Sequence, residues 1–332
     1  MPRLVAVLCC ALLVVSGCAG ADLTKHKPYP RSTIQANAEN VTETNGSTPT
    51  NVPGGQPADP AFAADKLRLV DPCKLFDRKV LEQLGTPGEV SPTGFSRCSN
   101  FMEDKNGKDL AITVEIGQTM TTELKNADKQ LAGLKSYEQT LDTSACFVSV
   151  ITQEKPALGL TVQIGYKDGD ACAPGRKVAE SVVRQLKERV GVKSPPKDSL
   201  VALDPCVLVD KAVADAAVGA DHRIFPYGLH NCSWVADSKE VSLDLRSTYI
   251  PKDNKFDAKQ TEVDLGNGVT GYQLANTGAY PSCSVKWVQR LNTGEEGELA
   301  EVKSSGPKKS EFDRCAVAVA FAKGVLPKIP KG

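Results

Sequence analysis

Aromatic residues, histidine and net charge are all scarce in this 332-residue chain, and each scarcity narrows what it does. Aromatics make up 5% of the sequence, there are three histidines, and the formal charge is zero. The balance is local as well: residues 67–195 carry 18 Lys/Arg against 17 Asp/Glu, and residues 196–332 carry 17 against 18. A nucleic-acid binder shows a basic excess on one domain, and charge-driven docking on anionic lipid needs a basic cluster; neither is present. No apolar run reaches the ~20 residues of a membrane-spanning helix. Gly-x-Ser-x-Gly, His-Glu-x-x-His, P-loop and Cys-x-x-Cys patterns are missing, which leaves no familiar nucleophile, zinc ribbon or thioredoxin-type site, and no cofactor is implied.

What is there begins with an address. Arg3 precedes an apolar run from Leu4 to Val15, the size of a signal-peptide core. Val15-Ser16-Gly17-Cys18 then reads as a bacterial lipobox, so residues 1–17 are expected to be a cleaved leader and Cys18 the lipid-attachment site (diacylglycerol plus palmitate). Two acyl chains give stable anchoring where one is marginal. The expected location is the extracytoplasmic face of the cell membrane. Residues 18–66 are rich in Thr, Asn, Pro, Gly and Gln without apolar period, the composition of a disordered tether.

Of eleven cysteines, Cys9 and Cys10 leave with the leader and Cys18 takes lipid; eight remain, which in an oxidising compartment reads as a disulfide framework. They fall in two matching sets. Cys73, Cys98, Cys146 and Cys172 are spaced by 25, 48 and 26, and Cys206, Cys232, Cys283 and Cys315 by 26, 51 and 32. Asp71-Pro72-Cys73 recurs as Asp204-Pro205-Cys206, Cys98-Ser99-Asn100 answers Cys232-Ser233-Trp234, and Tyr137 answers Tyr272. The chain is a tandem repeat, with a first four-cysteine module at 67–195 and a second at 196–332. Four cysteines allow three pairings. The expected one joins first to second and third to fourth, Cys73–Cys98, Cys146–Cys172, Cys206–Cys232 and Cys283–Cys315, each tying a helix start to a strand start in its own half.

Each module should open and close with a helix. Asp71, Asp204, Asp170 and Asp313 each stand two residues before a cysteine as N-caps, with Pro72 and Pro205 at the first helical position. Leu75, Phe76, Val80 and Leu84 predict one continuous apolar face for the first helix. Between the helices the period is two, predicting strands at 99–103, 110–116, 134–141, 147–152 and 160–165, then 233–236, 241–247, 269–274, 284–290 and 298–303. Leu158-Gly159 and Thr293-Gly294 read as turns. The fold class is α+β: two disulfide-stapled modules, each an antiparallel sheet with an N-terminal and a C-terminal helix on one face.

Candidate chemistry is thin. Gly266-Asn267-Gly268-Val269-Thr270-Gly271 matches a dinucleotide fingerprint but leads into a strand pattern, so it reads as a hairpin turn. Ser194-Pro195-Pro196-Lys197 and Ser305-Gly306-Pro307-Lys308 match Ser-x-x-Lys without the helix that motif needs. His222 and His230, beside Asp221, read as solvated loop histidines rather than a catalytic or metal pair. Trp234 and Trp287 share strand parity with cysteines and read as core. Phe225, Tyr227, Tyr249 and Tyr280 make the second module the place to look for a ligand surface. Catalytic and metal residues are assigned to none, and ligand-binding residues to no position.

Asp204-Pro205-Cys206, Cys232-Ser233-Trp234 and the run from Asp313-Arg314-Cys315 to Leu326-Pro327 resemble those of actinobacterial lipoproteins with a domain of unknown function marked by Asp-Pro-Cys and Cys-x-Trp, here in tandem. The plan is more distantly similar to extracytoplasmic sensor domains of mycobacterial serine/threonine kinases. The first module departs in having Asn100 where Trp is expected, with Phe101 the candidate to fill that core. The family implies a cell-surface location. The expected function is non-catalytic: a surface lipoprotein, held to the membrane by its lipid, that binds an envelope protein or glycan and no nucleic acid. The alternatives are an envelope hydrolase using Asp221, His222 and His230, or an architectural spacer or assembly factor.

Overall fold

A computed structural model describes residues 55–331, apart from Asp142, Thr143, Asp168 and Thr293. The leader, Cys18 and residues 18–54 of the expected tether lie outside the described residues. Two antiparallel sheets carry the fold. The first comprises β1 (Gly85–Thr86), β2 (Val90–Thr93), β3 (Arg97–Asp104), β4 (Asp109–Thr119), β5 (Lys129–Leu131), β6 (Leu134–Leu141), β7 (Ala145–Glu154) and β8 (Ala157–Gly165). The second comprises β9 (Arg223–Pro226), β10 (Asn231–Ala236), β11 (Lys239–Tyr249), β12 (Thr261–Asp264), β13 (Thr270–Asn276), β14 (Ser282–Leu291) and β15 (Glu296–Ser305). The spatial order β2-β3-β4-β8-β7-β6-β5 repeats as β9-β10-β11-β15-β14-β13-β12, with β1 an addition beside β3. The duplication read from cysteines is therefore a duplication of topology.

Alternation makes these strands two-faced. Leu110, Ile112, Val114 and Ile116 of β4 are buried on one face, as are Val241, Leu243 and Leu245 of β11. The helices that bury side chains cover that face. In the first module these are α1 (Ala64–Leu67), α2 (Arg78–Leu84) and α4 (Cys172–Lys187), with α3 (Thr121–Asn126) lying apart near β6 and β7; in the second they are α5 (Pro205–Leu208), α6 (Lys211–Val218) and α7 (Arg314–Val325). Val178, Val182 and Leu186 of α4 sink into the first core. Gly175 lets that helix come close: a Cβ there would stand 2.8 Å from Val148 Cγ2. Phe321 of α7 packs on Trp234, ring centroids 5.2 Å apart, at the centre of the second.

All four Asp-x-Cys triplets make the same hydrogen bond, although only Asp71, Asp204 and Asp313 are N-caps; at α4 the N-cap is Ala171, and Asp170 stands one residue before it. Asp71, Asp170, Asp204 and Asp313 each accept a hydrogen bond through Oδ1 from the cysteine N–H two residues on, at 2.9–3.0 Å. The disulfides are Cys73–Cys98, Cys146–Cys172, Cys206–Cys232 and Cys283–Cys315, with Cα separations of 5.0–5.2 Å. Closing loops of this length is worth roughly 3–4 kcal/mol each in the chain-entropy model.

Four expectations are corrected. The continuous first helix is broken: Pro72–Leu75 is a single 3-10 turn, Phe76 is extended, and α2 starts afresh because Asp77 caps it by accepting from Lys79 N–H. The coil assigned up to residue 66 is ordered from 55 onward. Ala58 N–H bonds Thr152 C=O at 2.8 Å and Phe62 lies fully in the first core, so the first module begins before 67. Leu158-Gly159 lies inside β8 rather than at a turn. Phe101 does not replace the missing Trp: it is 66% exposed, while Asn100 is buried and clasps Gly88 by two hydrogen bonds, its Nδ2 donating to the C=O and its Oδ1 accepting from the N–H.

The modules meet through equivalent residues. Leu229, three before Cys232, is buried in the first core; Phe95, three before Cys98, is buried in the second. Gly117, at a bulge in β4 with φ of 70°, makes room for Leu229, whose Cγ would lie 2.2 Å from a Cβ. The next residues in each module, Ser96 and His230, bond each other at 3.1 Å. Contact of a position with its own counterpart is the mark of an isologous interface. Arg68 reinforces it, donating to Leu229 C=O at 2.8 Å and to Asp204 Oδ2 at 2.6 Å.

Candidate binding face

With the core helices on one face of each sheet, the other face carries the outward half of every alternation. Four equivalent strand positions, fixed by register, lie at its centre. In the second module they are Asp244 and Arg246 on β11, Glu301 on β15 and Lys286 on β14. Arg246 bridges Asp244 at 3.0 Å and also Glu301, and Lys286 stands 3.7 Å from Glu301. Phe256, from the loop after β11, lies over Lys286 with 5.6 Å between Nζ and the ring centroid. Burial pushes the Asp244 carboxyl up; Arg246 opposes this and the Glu301 charge adds to it. Two acids and two bases thus satisfy each other under a partial cover.

In the first module the same positions are Glu115 and Gln118 on β4, Thr161 on β8 and Ser149 on β7. The acid survives and its three charged neighbours are replaced by an amide and two hydroxyls. Around them is a cavity of about 280 Å³, also lined by Thr113, Gln139, Phe147, Gln163 and, from α3, Glu123. Burial pushes the Glu115 carboxyl up; Arg97, its register partner on β3, and a hydrogen bond from Gln118 hold it down only in part. Among the described residues, Glu115 has no ion pair within 4 Å. The arrangement can take up a cation and hydrogen-bond polar groups around it; it holds no cysteine, serine–histidine pair or metal-ligand cluster.

The residues singled out by sequence are placed elsewhere and do not converge. His230 is buried at the seam between modules, its Nε2–H donating to Val201 C=O at 2.7 Å, which leaves Nδ1 to accept from the Ser96 hydroxyl. His222 is not solvated either: its side chain is 5% exposed, with Nδ1 2.9 Å from Gly219 C=O and 3.2 Å from Asp215 Oδ1. Asp221 is exposed. Trp234 and Trp287 are core. Tyr227 stacks on Phe225 at the β9 edge, whereas Tyr249 ends β11 and Tyr280 precedes β14 at the opposite end of the sheet, so these aromatics form no single surface. Gly266, Asn267 and Gly268 all have positive φ in the β12–β13 hairpin. Among the described residues no cluster of His, Cys, Asp or Glu could hold a metal, and no helix is long and apolar enough to cross a membrane. The first module's face was missed because its signal is the loss of charge at Gln118, Thr161 and Ser149, visible only when the two copies are aligned strand by strand.

No family model matches the chain, and no curated protein does. Two solved structures are weakly similar. One, from Bacteroides thetaiotaomicron, aligns at 14% identity over 31% of this chain and 41% of its own length, with a TM-score of 0.23. The other, DynU16 of the dynemicin biosynthetic locus, aligns at 14% identity over 80% of this chain and 93% of its own, with a TM-score of 0.15.

Proposed function

We propose that this chain is a lipid-anchored extracytoplasmic binding protein, non-catalytic, that presents the open face of its first module to an envelope ligand. The address rests on the lipobox ending at Cys18 and on the disulfide framework, which suits an oxidising compartment. The binding role rests on one observation above the others: a half-buried carboxylate, Glu115, faces a polar cavity without an ion-paired cation, while its counterpart Asp244 is ion-paired to Arg246. Arg97 and Gln118 offset that partly desolvated charge only in part, and a ligand cation is the natural completion. The histidines support the same reading, since both are engaged in local hydrogen bonds. The resemblance to surface lipoproteins points the same way.

The test uses the full lipidated chain, incubated with extracts of envelope small molecules and glycans, with bound compounds read by mass spectrometry before and after release. The expected result is specific retention of a compound recovered chemically unchanged. Conversion of the compound into a product would replace this reading with an enzymatic one, and failure to retain anything would overturn it. Replacing Cys18 with serine should abolish fatty-acid labelling and release the chain from membranes.

A further inference from the structure

The two modules act as controls for one another, and the comparison identifies what the first face lacks. At the centre of the second face, Asp244, Arg246, Glu301 and Lys286 form a closed set of charges. In the first, Glu115 keeps the acid of Asp244, and Gln118, Thr161 and Ser149 stand where Arg246, Glu301 and Lys286 would be. Had the whole set been lost, the face would simply be neutral. What remains is one acid without either of those two bases, its cross-strand neighbour Arg97 offsetting its charge only in part, and an open cavity where they would stand.

Resting on the binding function proposed above, we propose that this cavity is a cation subsite, which takes the ammonium or guanidinium of a compact small molecule against the Glu115 carboxylate. The cation occupies the space that Lys286 and Arg246 fill in the other module. Gln118, Thr161 and Gln163 offer amides and hydroxyls to the polar remainder of the ligand, and the Phe147 ring lies beside them for an apolar edge. Glu123, on α3 at the rim, adds a second negative charge that favours a cation over an anion. A volume of about 280 Å³ falls just below the range of about 300 to 1,000 Å³ usual for ligand pockets, and selects an amino sugar or short amine over a polymer chain. Burial of Glu115 strengthens the attraction, because a charge pair in a partly desolvated site is screened less than one at the surface.

The experiment is an NMR titration of the full chain with methylammonium and glucosamine, each against its neutral counterpart, acetamide and N-acetylglucosamine. The cations should shift the signals of Thr113, Glu115 and Gln163 saturably, and the neutral compounds should not. Glu115→Gln, which keeps the shape, should weaken cation binding by roughly tenfold or more. Ser149→Lys, which writes the second module's lysine into the first, should weaken it likewise by supplying an internal cation. Asp244→Asn should leave binding at this face unchanged. Equal response to charged and neutral probes, or wild-type binding by Glu115→Gln, would overturn the proposal. An envelope compound whose retention survives Glu115→Gln would overturn this site while leaving the binding function standing.

Discussion

A single imidazole, that of His230, is held in its neutral form by burial at the seam between the modules. Its pKa is pushed down to about 4 from 6.5, first by burial and then by the charges of Arg68 and Lys193, against the hydrogen bond to Val201 C=O, which pulls it up. The unfolded chain takes up this proton near 6.5 and the folded chain only near 4. Stability from this group is therefore complete above about 6.5 and is lost as pH falls toward about 4, by roughly 3 kcal/mol. Thermal melts of wild type and His230→Gln, which keeps a donor for Val201 and an acceptor for Ser96, check this. The wild type should lose Tm more steeply over that window, and equal slopes would refute it. Gly117 is a second such residue: Gly117→Ala strains a backbone at φ of 70° and collides with Leu229, so it should destabilise by more than about 1 kcal/mol in chemical denaturation.

At the scale of elements, the aspartates of the four Asp-x-Cys triplets look interchangeable in sequence and are not. Asp313 caps α7 and is exposed, so Asp313→Ala should cost about 1 kcal/mol. Asp204 caps α5 and also receives the buried Arg68 guanidinium at 2.6 Å, so Asp204→Ala should cost markedly more, on the order of 3 kcal/mol. Urea midpoints of the two variants distinguish them. The long strands and the helix starts were legible because alternation and Asp-x-Cys are local signals. Beta-strands of two to four residues at the sheet edges, β1, β2, β5, β9 and β12, were not, since Val90–Thr93 is exposed along its whole length and shows no alternation. α3 was missed because it buries no side chain and has no apolar stripe. The break at Phe76 was hidden because Leu75, Phe76, Val80 and Leu84 share a helical period, while a second cap at Asp77 decides the backbone. The candidate face lay beyond the sequence for a different reason: it assembles residues from four strands and a helix, and only lateral register brings Glu115, Thr161 and Ser149 into one row.

At the scale of the molecule, duplication has produced one body with two unlike faces. Phe95 and Leu229 each complete the other module's core, so truncating either should cost about 2–5 kcal/mol and destabilise the module it does not belong to. Calorimetry should show one unfolding transition for the wild type and two for the double variant Phe95→Ala/Leu229→Ala; a single unchanged transition in the double variant would contradict a shared core. The faces diverge because the second has closed its charges on themselves and the first has left Glu115 exposed to a cavity. Carbon-13 NMR titration of the Glu115 carboxyl, in the free chain and with glucosamine bound, addresses that difference directly. The expected result is a pKa above the ordinary carboxylate range in the free chain that falls when the cation binds, with Asp244 unmoved. A Glu115 that titrates as an ordinary surface carboxylate, or that does not respond to the cation, would contradict it.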